Sequence, residues 1–482
     1  MPFIALGTLP LLRISSALLA FCTLAASAPP AWDRFRGPNG AGVSDATNLP
    51  DEIDVGKNLL WKIETPPGFS SPVIANDRLY LTAHEQGNLF TMAIDRNSGK
   101  VLWKQAAPKS LDGKPKGPNS PVSPTPVTDG KNVYAFFPNF GLVSYDLAGK
   151  ERWNFPIEPV NNPYVPGASP ILYKDLLLMV VDQDTDSYLL AVQAKDGKVK
   201  WKHPRPGVTH SFSTPIVWEP KGQPAQLIVS GSFRVTGYQI QTGEPVWWAS
   251  GMAWQAKTHP VIGNDTLYIH SWMADLNQLG VKTDPWEQVL AAVDEDKDGK
   301  VNAQEGGKIS KELQGLFFLF DLNHDKFIDA QEWQMQRDRN TARNGLYAIK
   351  MAGAKGDVTE THVKWRYDKS LPNLPSPLLY HGILYVLKEG GILTALSPED
   401  GKVLKQGRVE GAVDSYAASP VAADGKIYLA SGKGKIAVLE PGAEWKVKQV
   451  HDLKEDLWAT PALANGRVYI RTQTALYCFG KV

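Results

Sequence analysis

From residue 58 to the C-terminus, short apolar runs alternate with polar clusters rich in Gly, Pro, Asn and Asp. This is the pattern of strands joined by tight turns, not of amphipathic helices. A small residue followed by Pro recurs at Ser71-Pro72, Thr125-Pro126, Ser169-Pro170, Thr214-Pro215, Ser376-Pro377, Ser419-Pro420 and Thr460-Pro461. His259-Pro260 fits the series with a changed first residue. Successive members lie 41 to 54 residues apart, except for a gap of 117 after His259. That gap holds an insertion of about 70 residues in a period that suits a four-stranded unit.

Each unit reads in the same order. A first strand follows the Pro and ends in a turn such as Asn76-Asp77, Asp129-Gly130, Asn264-Asp265, Asp424-Gly425 or Asn465-Gly466. These residues tolerate the positive φ of hairpin turns. A second strand often carries Tyr (Tyr80, Tyr268, Tyr385, Tyr428, Tyr469), and a third follows, as at 89–94. A Gly turn then leads to a fourth strand with Trp: Gly99 to Trp103, Gly149 to Trp153, Gly197 to Trp201, Gly243 to Trp247. Trp365 and Trp445 are expected in similar places, whereas Leu404 follows Gly401 in the sixth unit. Trp on the outer strand would fill the gap between neighbouring units. The eighth unit ends after its third strand, and 58–63, ahead of the first unit, reads as a stray fourth strand with Trp61. Joining the two closes a ring. The predicted fold is all-β: an eight-bladed β-propeller of four-stranded antiparallel blades, with a small helical insertion in blade five.

The combination of Ser/Thr-Pro, Asp/Asn-Gly, the Tyr strand and Gly-Lys-x-x-Trp resembles the pyrroloquinoline-quinone-like β-propeller repeat family. Residues 93–103 carry the nearest single match, and 32–40 look like the leader of exported bacterial members. The resemblance covers roughly 58–480 apart from the insertion. It implies a propeller, in a family of both quinone-dependent alcohol dehydrogenases and a non-catalytic lipoprotein of outer-membrane assembly. A repeat specifies the fold and does not choose between them. The dehydrogenases' disulfide between adjacent cysteines and a haem motif are both missing here.

The insertion contributes the sharpest chemistry. Residues 294–305 follow the twelve-residue calcium-loop pattern of an EF-hand. Asp294, Asp296, Asp298, the Lys300 carbonyl, Asn302 and Glu305 are the expected ligands, with Gly299 at the bend. A second loop offers Asp321, Asn323, Asp325, the Phe327 carbonyl, Asp329 and Glu332. Lys326 replaces Gly at its bend, which predicts strain. Calcium is the expected ion, because alternating hard oxygens wrap one centre and their mutual repulsion needs a cation. A helix is expected to start at Asp284-Pro285-Trp286-Glu287 with a capping box, and Ile309, Leu313, Phe317 and Phe320 form an apolar stripe. Val301 and Ile328 are expected to pair between the loops. Because the insertion splits blade five between its second and third strands, it stands on the face where blade-to-blade segments meet.

Composition narrows the partners. Lys plus Arg is 51 and Asp plus Glu 50, so no basic surplus points to nucleic acid. Residues 1–28 lack acidic residues, and an apolar stretch over 14–26 reads as a signal peptide, too short to span a bilayer. The bulky Phe21 argues against lipidation at Cys22. Export then leaves Cys478 as the only thiol and predicts a periplasmic or secreted protein without a transmembrane span. The expected organisation is a signal peptide at 1–28, a leader at 29–57, propeller at 58–271, insertion at 272–343 and propeller at 344–482. Funnel candidates at blade-to-blade segments are His210, Trp254, Lys257, His259, Asn373, Asp414, Tyr416, Asp456 and Trp458. Asp182, Asp184 and Asp186 lack the bend and terminal Glu of a calcium loop. The resulting expectation is a non-catalytic binding or assembly scaffold, with a protein or small-ligand partner on the insertion-bearing face. A quinone-dependent alcohol or sugar dehydrogenase is the alternative, and its quinone is not favoured.

Overall fold

The computed structural model describes residues 1–2, 32–111, 119–162, 164–274 and 281–481. Beyond residues 1–2, the expected signal segment lies outside the described residues. Among the described residues, no helix is long and apolar enough to cross a membrane.

Eight antiparallel sheets surround one axis. Blade one runs Val73–Ala75, Arg78–Glu85, Asn88–Asp95 and Val101–Ala106 from axis to rim, and the others repeat that order. Middle strands such as Leu176–Val181 are buried along their whole length, because neighbouring blades cover both faces. Fourth strands such as Val199–Pro204 alternate exposed with half-buried positions, as rim strands should. A register shift recurs between the third and fourth strands, for instance at Ala93/Ile94 and Ala395/Leu396. A bulge there increases the local twist of each blade at the same place.

The ring closes as the sequence predicts. Leu59–Glu64 pairs with Ala475–Gly480, placing Trp61 opposite Cys478 and Lys62 opposite Tyr477. The two ends of the propeller therefore share one sheet, and no edge is left between the first and last blades.

Two repeated contacts tie the blades together. The first is hydrogen bonding around the axis. Each Ser/Thr hydroxyl accepts from the backbone N–H of the same position in the preceding blade, as from Ser71 to Thr125 (2.9 Å) and from Thr125 to Ser169 (3.0 Å). The series continues through Thr214, Ser376, Ser419 and Thr460, and returns when the Thr460 N–H donates to Ser71 at 3.0 Å. His259 has no hydroxyl, and there Ser213 bonds the Thr258 carbonyl instead (2.7 Å). The second contact is tryptophan docking. Trp61, Trp103, Trp153, Trp201 and Trp365 each lie against the Gly turn of the next blade. Each also donates its indole N–H to a backbone carbonyl there, as Trp153 to Ala194 at 3.0 Å.

Two tryptophans depart from expectation. Trp247 is fully buried and donates within its own blade, to Gln226 (2.8 Å). The reason is an additional parallel strand, Gly356–Asp357, which covers the rim of blade four. Trp445 precedes its fourth strand rather than lying on it, and it packs over Gly407 of blade six. It thus fills, from the opposite side, the junction where blade six lacks a tryptophan.

The leader crosses the end of the axis. The Ile74 N–H donates to the Trp32 carbonyl, and the Thr128 N–H to that of Asp33. Arg34 donates to Leu172, Asn39 exchanges two bonds with Val217, and the Ala422 N–H donates to Gly42. These partners are first-strand residues of blades one, two, three, four and seven, so the leader plugs one end of the channel. The chain then passes over blades seven and eight, where Gln449 bonds both the N–H and the carbonyl of Ile53.

The helical insert lies between Thr266–Ser271 and Gly345–Lys350, the second and third strands of blade five. Its helices are α1 (Trp286–Val293), α2 (Ala303–Ile309), α3 (Lys311–Gly315) and α4 (Ala330–Thr341). They enclose a small core of their own around Trp333, with Leu313, Phe317 and Phe320 buried in it. The capping box expected at Asp284 does not form. Pro285 is the N-cap residue of α1 and has no cap bond, while the Asp284 carbonyl accepts from the Trp333 indole (2.8 Å). Capping boxes form instead at Asn302/Glu305 and Asp329/Glu332, one in each acidic loop.

Candidate functional site

Two features could carry function: a funnel on the axis, and the acidic loops of the insert beside its mouth.

The funnel has a volume of about 530 Å³. Its waist is the ring of Ser/Thr hydroxyls. Its floor is Phe35 of the leader against His259, ring edge to face at 5.8 Å. At the mouth, Phe69 and Trp458 stack at 5.0 Å, and Tyr164 and Phe212 face the same space. Asn119, Gln255, Lys257 and Asn373 supply the polar wall. Lys257 donates to the Asn373 side chain (2.8 Å), whose backbone N–H is held by Glu389 (3.0 Å). Burial lowers the Lys257 pKa, and the charge of Glu389 opposes that shift. Among the described lining residues none is acidic.

Beneath the floor the chain is basic. Arg36 is fully buried and donates to the Pro377 carbonyl (2.8 Å), and burial lowers its pKa to about 9. His259 and His270 are also buried, and both are held well below the ordinary histidine range. Desolvation is the main cause in each, with the charge of Arg36 adding to it.

Of the residues expected at the funnel, Lys257, His259, Asn373 and Trp458 line it. The others are placed elsewhere. His210 is buried against Asp184, and its other ring nitrogen meets Gln255 at 2.9 Å, so it props the wall from behind. Trp254 donates to Thr209 and lies under the Arg339 guanidinium, 4.6 Å from its ring. Asp414 accepts from Ser415, Ser431 and Lys433, which ties its blade-to-blade segment to the turn at 431–434. The buried Tyr416 hydroxyl donates to Ala412 (2.6 Å), and Asp456 pairs with Lys433 (3.0 Å). Asp182 and Asp184 are likewise engaged, with Arg205 and His210. A position near a Ser/Thr-Pro step puts a residue on the correct loop but leaves its side-chain direction open. Phe35, Phe69, Asn119, Tyr164, Phe212 and Gln255 were not among the expected residues. Phe69, two residues before Ser71-Pro72, and Phe212, two before Thr214-Pro215, share an offset that could have marked them.

In the insert, carboxylate oxygens of Asp294, Asp296 and Glu305 lie within 4.8 Å of one another. Backbone donors shape the loop: Gly299 to Asp294 (3.1 Å), Asp298 to Asp296 (3.2 Å) and Lys300 to Asp298 (2.8 Å). Glu305 accepts from the N–H groups of Glu295 and Asn302, and Gly299 takes φ +78° at the bend. The second loop repeats this, with Asp325 and Lys326 donating to Asp321 and Leu322 donating to Glu332. Lys326 adopts φ +74°, the left-handed geometry that Gly would take without cost. Val301 and Ile328 pair as expected. Lys300 bridges the loops by donating to Asp325 (3.0 Å). The insert meets the propeller through Leu322, Met335, Arg339 and Ala342, which pack on Phe233 and Trp254. Trp254 directly precedes Gln255 on the funnel wall.

A family model described as outer membrane protein assembly factor BamB matches residues 53–163 and 340–481, just over half of the chain. The unmatched stretch between them holds blades three and four, the first half of blade five and the insert. No curated protein matches the chain in sequence. Among solved structures, BamB from Moraxella catarrhalis is similar at TM-score 0.55 and 11% identity, over 88% of this chain and 99% of that one. A europium-containing methanol dehydrogenase gives 0.57 at 9% identity, over 94% of this chain and 98% of that one. Quinohemoprotein alcohol dehydrogenase from Comamonas testosteroni gives 0.55 at 11%, over 95% and 81%. At such identities the likeness establishes the fold and leaves the activity open.

Proposed function

The chain belongs to the PQQ-like β-propeller family, and from that premise we propose that it is an exported, calcium-binding propeller acting as a non-catalytic binding or assembly scaffold. The observation that carries this reading is the division of its chemistry. The acidic oxygens gather in the insert, while the described lining of the funnel has none. Calcium would be held by Asp294, Asp296, Asp298, the Lys300 carbonyl, Asn302 and Glu305 in the first loop. In the second, Asp321, Asn323, Asp325, the Phe327 carbonyl, Asp329 and Glu332 would hold it. The convergence of three carboxylates around a backbone already bent for them supports this fit. The ion would lock the loops and so fix α4 against the propeller, a structural use. The matching family description, an outer membrane protein assembly factor, supports a protein partner and a place in the cell envelope. The face beside the insert is the proposed partner face.

The competing reading is a quinone-dependent dehydrogenase. The resemblance to those enzymes implies a quinone with a calcium ion beside it, held by carboxylates, under a disulfide. The described funnel residues do not fit that set, and Cys478 is buried inside the last blade.

Calorimetry tests the calcium assignment. Two sites are expected, with Asp294→Ala and Asp321→Ala each removing one; unchanged uptake in both variants would overturn it. Incubation with pyrroloquinoline quinone and calcium should give no alcohol-dependent dye reduction, and measured turnover would replace the scaffold reading with the enzymatic one.

A further inference from the structure

We propose that the funnel is a binding site for a small acidic sugar, a uronate or a sugar phosphate; this rests on reading the chain as a binding scaffold. The argument begins at the waist. Each of the seven Ser/Thr ring hydroxyls spends a lone pair on the neighbouring blade's N–H. A hydroxyl also has one proton to donate. Among the described residues, none of these seven protons meets a protein acceptor, and all seven hydroxyls line the cavity. The ring therefore offers hydroxyl donors to the cavity at every blade position except that of His259.

The described lining itself carries one charged side chain, and it is a cation. Lys257 on the wall makes no direct ion pair among the described residues, although the charge of Glu389 behind Asn373 reaches it, and buried Arg36 below the floor makes none either. A cavity rich in donors, with a lysine on its wall and no acidic group in its described lining, selects a ligand with several acceptor oxygens and a negative charge. The rest of the lining excludes a bare inorganic anion as the best fit. A volume of about 530 Å³ is far larger than one such ion needs. Phe69 and Trp458 offer a flat apolar surface at the mouth, where the C–H face of a sugar ring could lie. Asn119, Gln255 and Asn373 offer amide groups that both donate and accept, matching sugar hydroxyls.

The test uses the full exported chain with glucuronate, glucose 6-phosphate, glucose and inorganic phosphate, read by calorimetry and by thermal unfolding. Both acidic sugars are expected to bind about tenfold or more tightly than glucose, the ratio expected of one good charge-assisted contact. Lys257→Gln should erase that preference, bringing the acidic sugars to within about twofold of glucose measured on the same variant. Trp458→Ala, at a residue 42% exposed and therefore safe for folding, should weaken all three sugars. Binding of glucose equal to that of glucuronate, inorganic phosphate as tight as glucose 6-phosphate, or no binding by any of the four would each overturn the proposal. The scaffold reading fails on quinone-dependent dye reduction, which is measured separately, so failure here and failure of that reading are distinguishable.

Discussion

At Gly197 the chain has φ +73°, and a Cβ there would sit 2.7 Å from the Trp153 ring. At Gly207 the φ is nearly the same, +71°, but nothing lies within 4 Å of a Cβ. The pair separates backbone strain from docking. An Ala at either site pays the left-handed penalty of about 1 kcal/mol. Only at Gly197 must the tryptophan also move, which breaks its bond to Ala194. Gly197→Ala should therefore lower the unfolding midpoint clearly more than Gly207→Ala, as measured by thermal denaturation. Equal shifts would mean that the indole does not hold adjacent blades together. At this scale much was legible: a Gly followed four residues later by Trp names one docking residue and the turn of its own blade. That the Trp serves the next blade's turn could be read only once the blades were stacked.

Among the elements, the insert is the most locally determined. Its loops, the Val301–Ile328 pairing and the apolar stripe were all readable, because the acidic positions and the bend lie within twelve consecutive residues. Its weak point is also local. Lys326 holds a left-handed conformation that a side chain adopts at a cost of about 1 kcal/mol. Lys326→Gly is expected to relieve it, slowing hydrogen exchange of the α4 amides and tightening calcium at the second proposed site. Unchanged or faster exchange would place the strain elsewhere. The helix α1 starts where expected, but its capping box does not form. Asp284 is a good capping type, but Trp333, far along the chain, takes its carbonyl and draws the segment into the insert's core.

For the whole molecule, the buried histidines set the response to acid. His270 is held at about 3, chiefly by burial. Between pH 6.5 and that value the unfolded chain binds a proton that the folded chain does not, so stability falls as pH drops below about 6.5. His259 acts in the same direction. A second loss follows at lower pH. Burial tends to raise the pKa of Glu455, but hydrogen bonds from Lys62, Thr472 and Tyr477 outweigh it and hold the carboxyl at about 2. This contribution is present above the ordinary Glu range, near 4.5, and disappears as pH falls toward 2. Lys62 lies on the closing strand, so this loss falls on the ring closure. Unfolding midpoints followed from pH 7.5 to 3 should decline in two stages. His270→Gln should flatten the first and Glu455→Gln the second; a flat profile between pH 7 and 5 would contradict the buried-neutral assignment.

The sequence by itself determined the number of blades, the closure of the ring and the two acidic loops. Each is written in residues close together or in a repeat that recurs at regular spacing. Tertiary structure alone decided that the channel is shut at one end. The leader has no periodicity, and it reaches the axis through hydrogen bonds to backbone groups up to hundreds of residues away, as from Arg36 to Pro377. The funnel's lining was decided at the same level. Which side chain of a blade-to-blade loop faces the axis depends on how the loops from all eight blades crowd together, and no stretch of sequence carries that information.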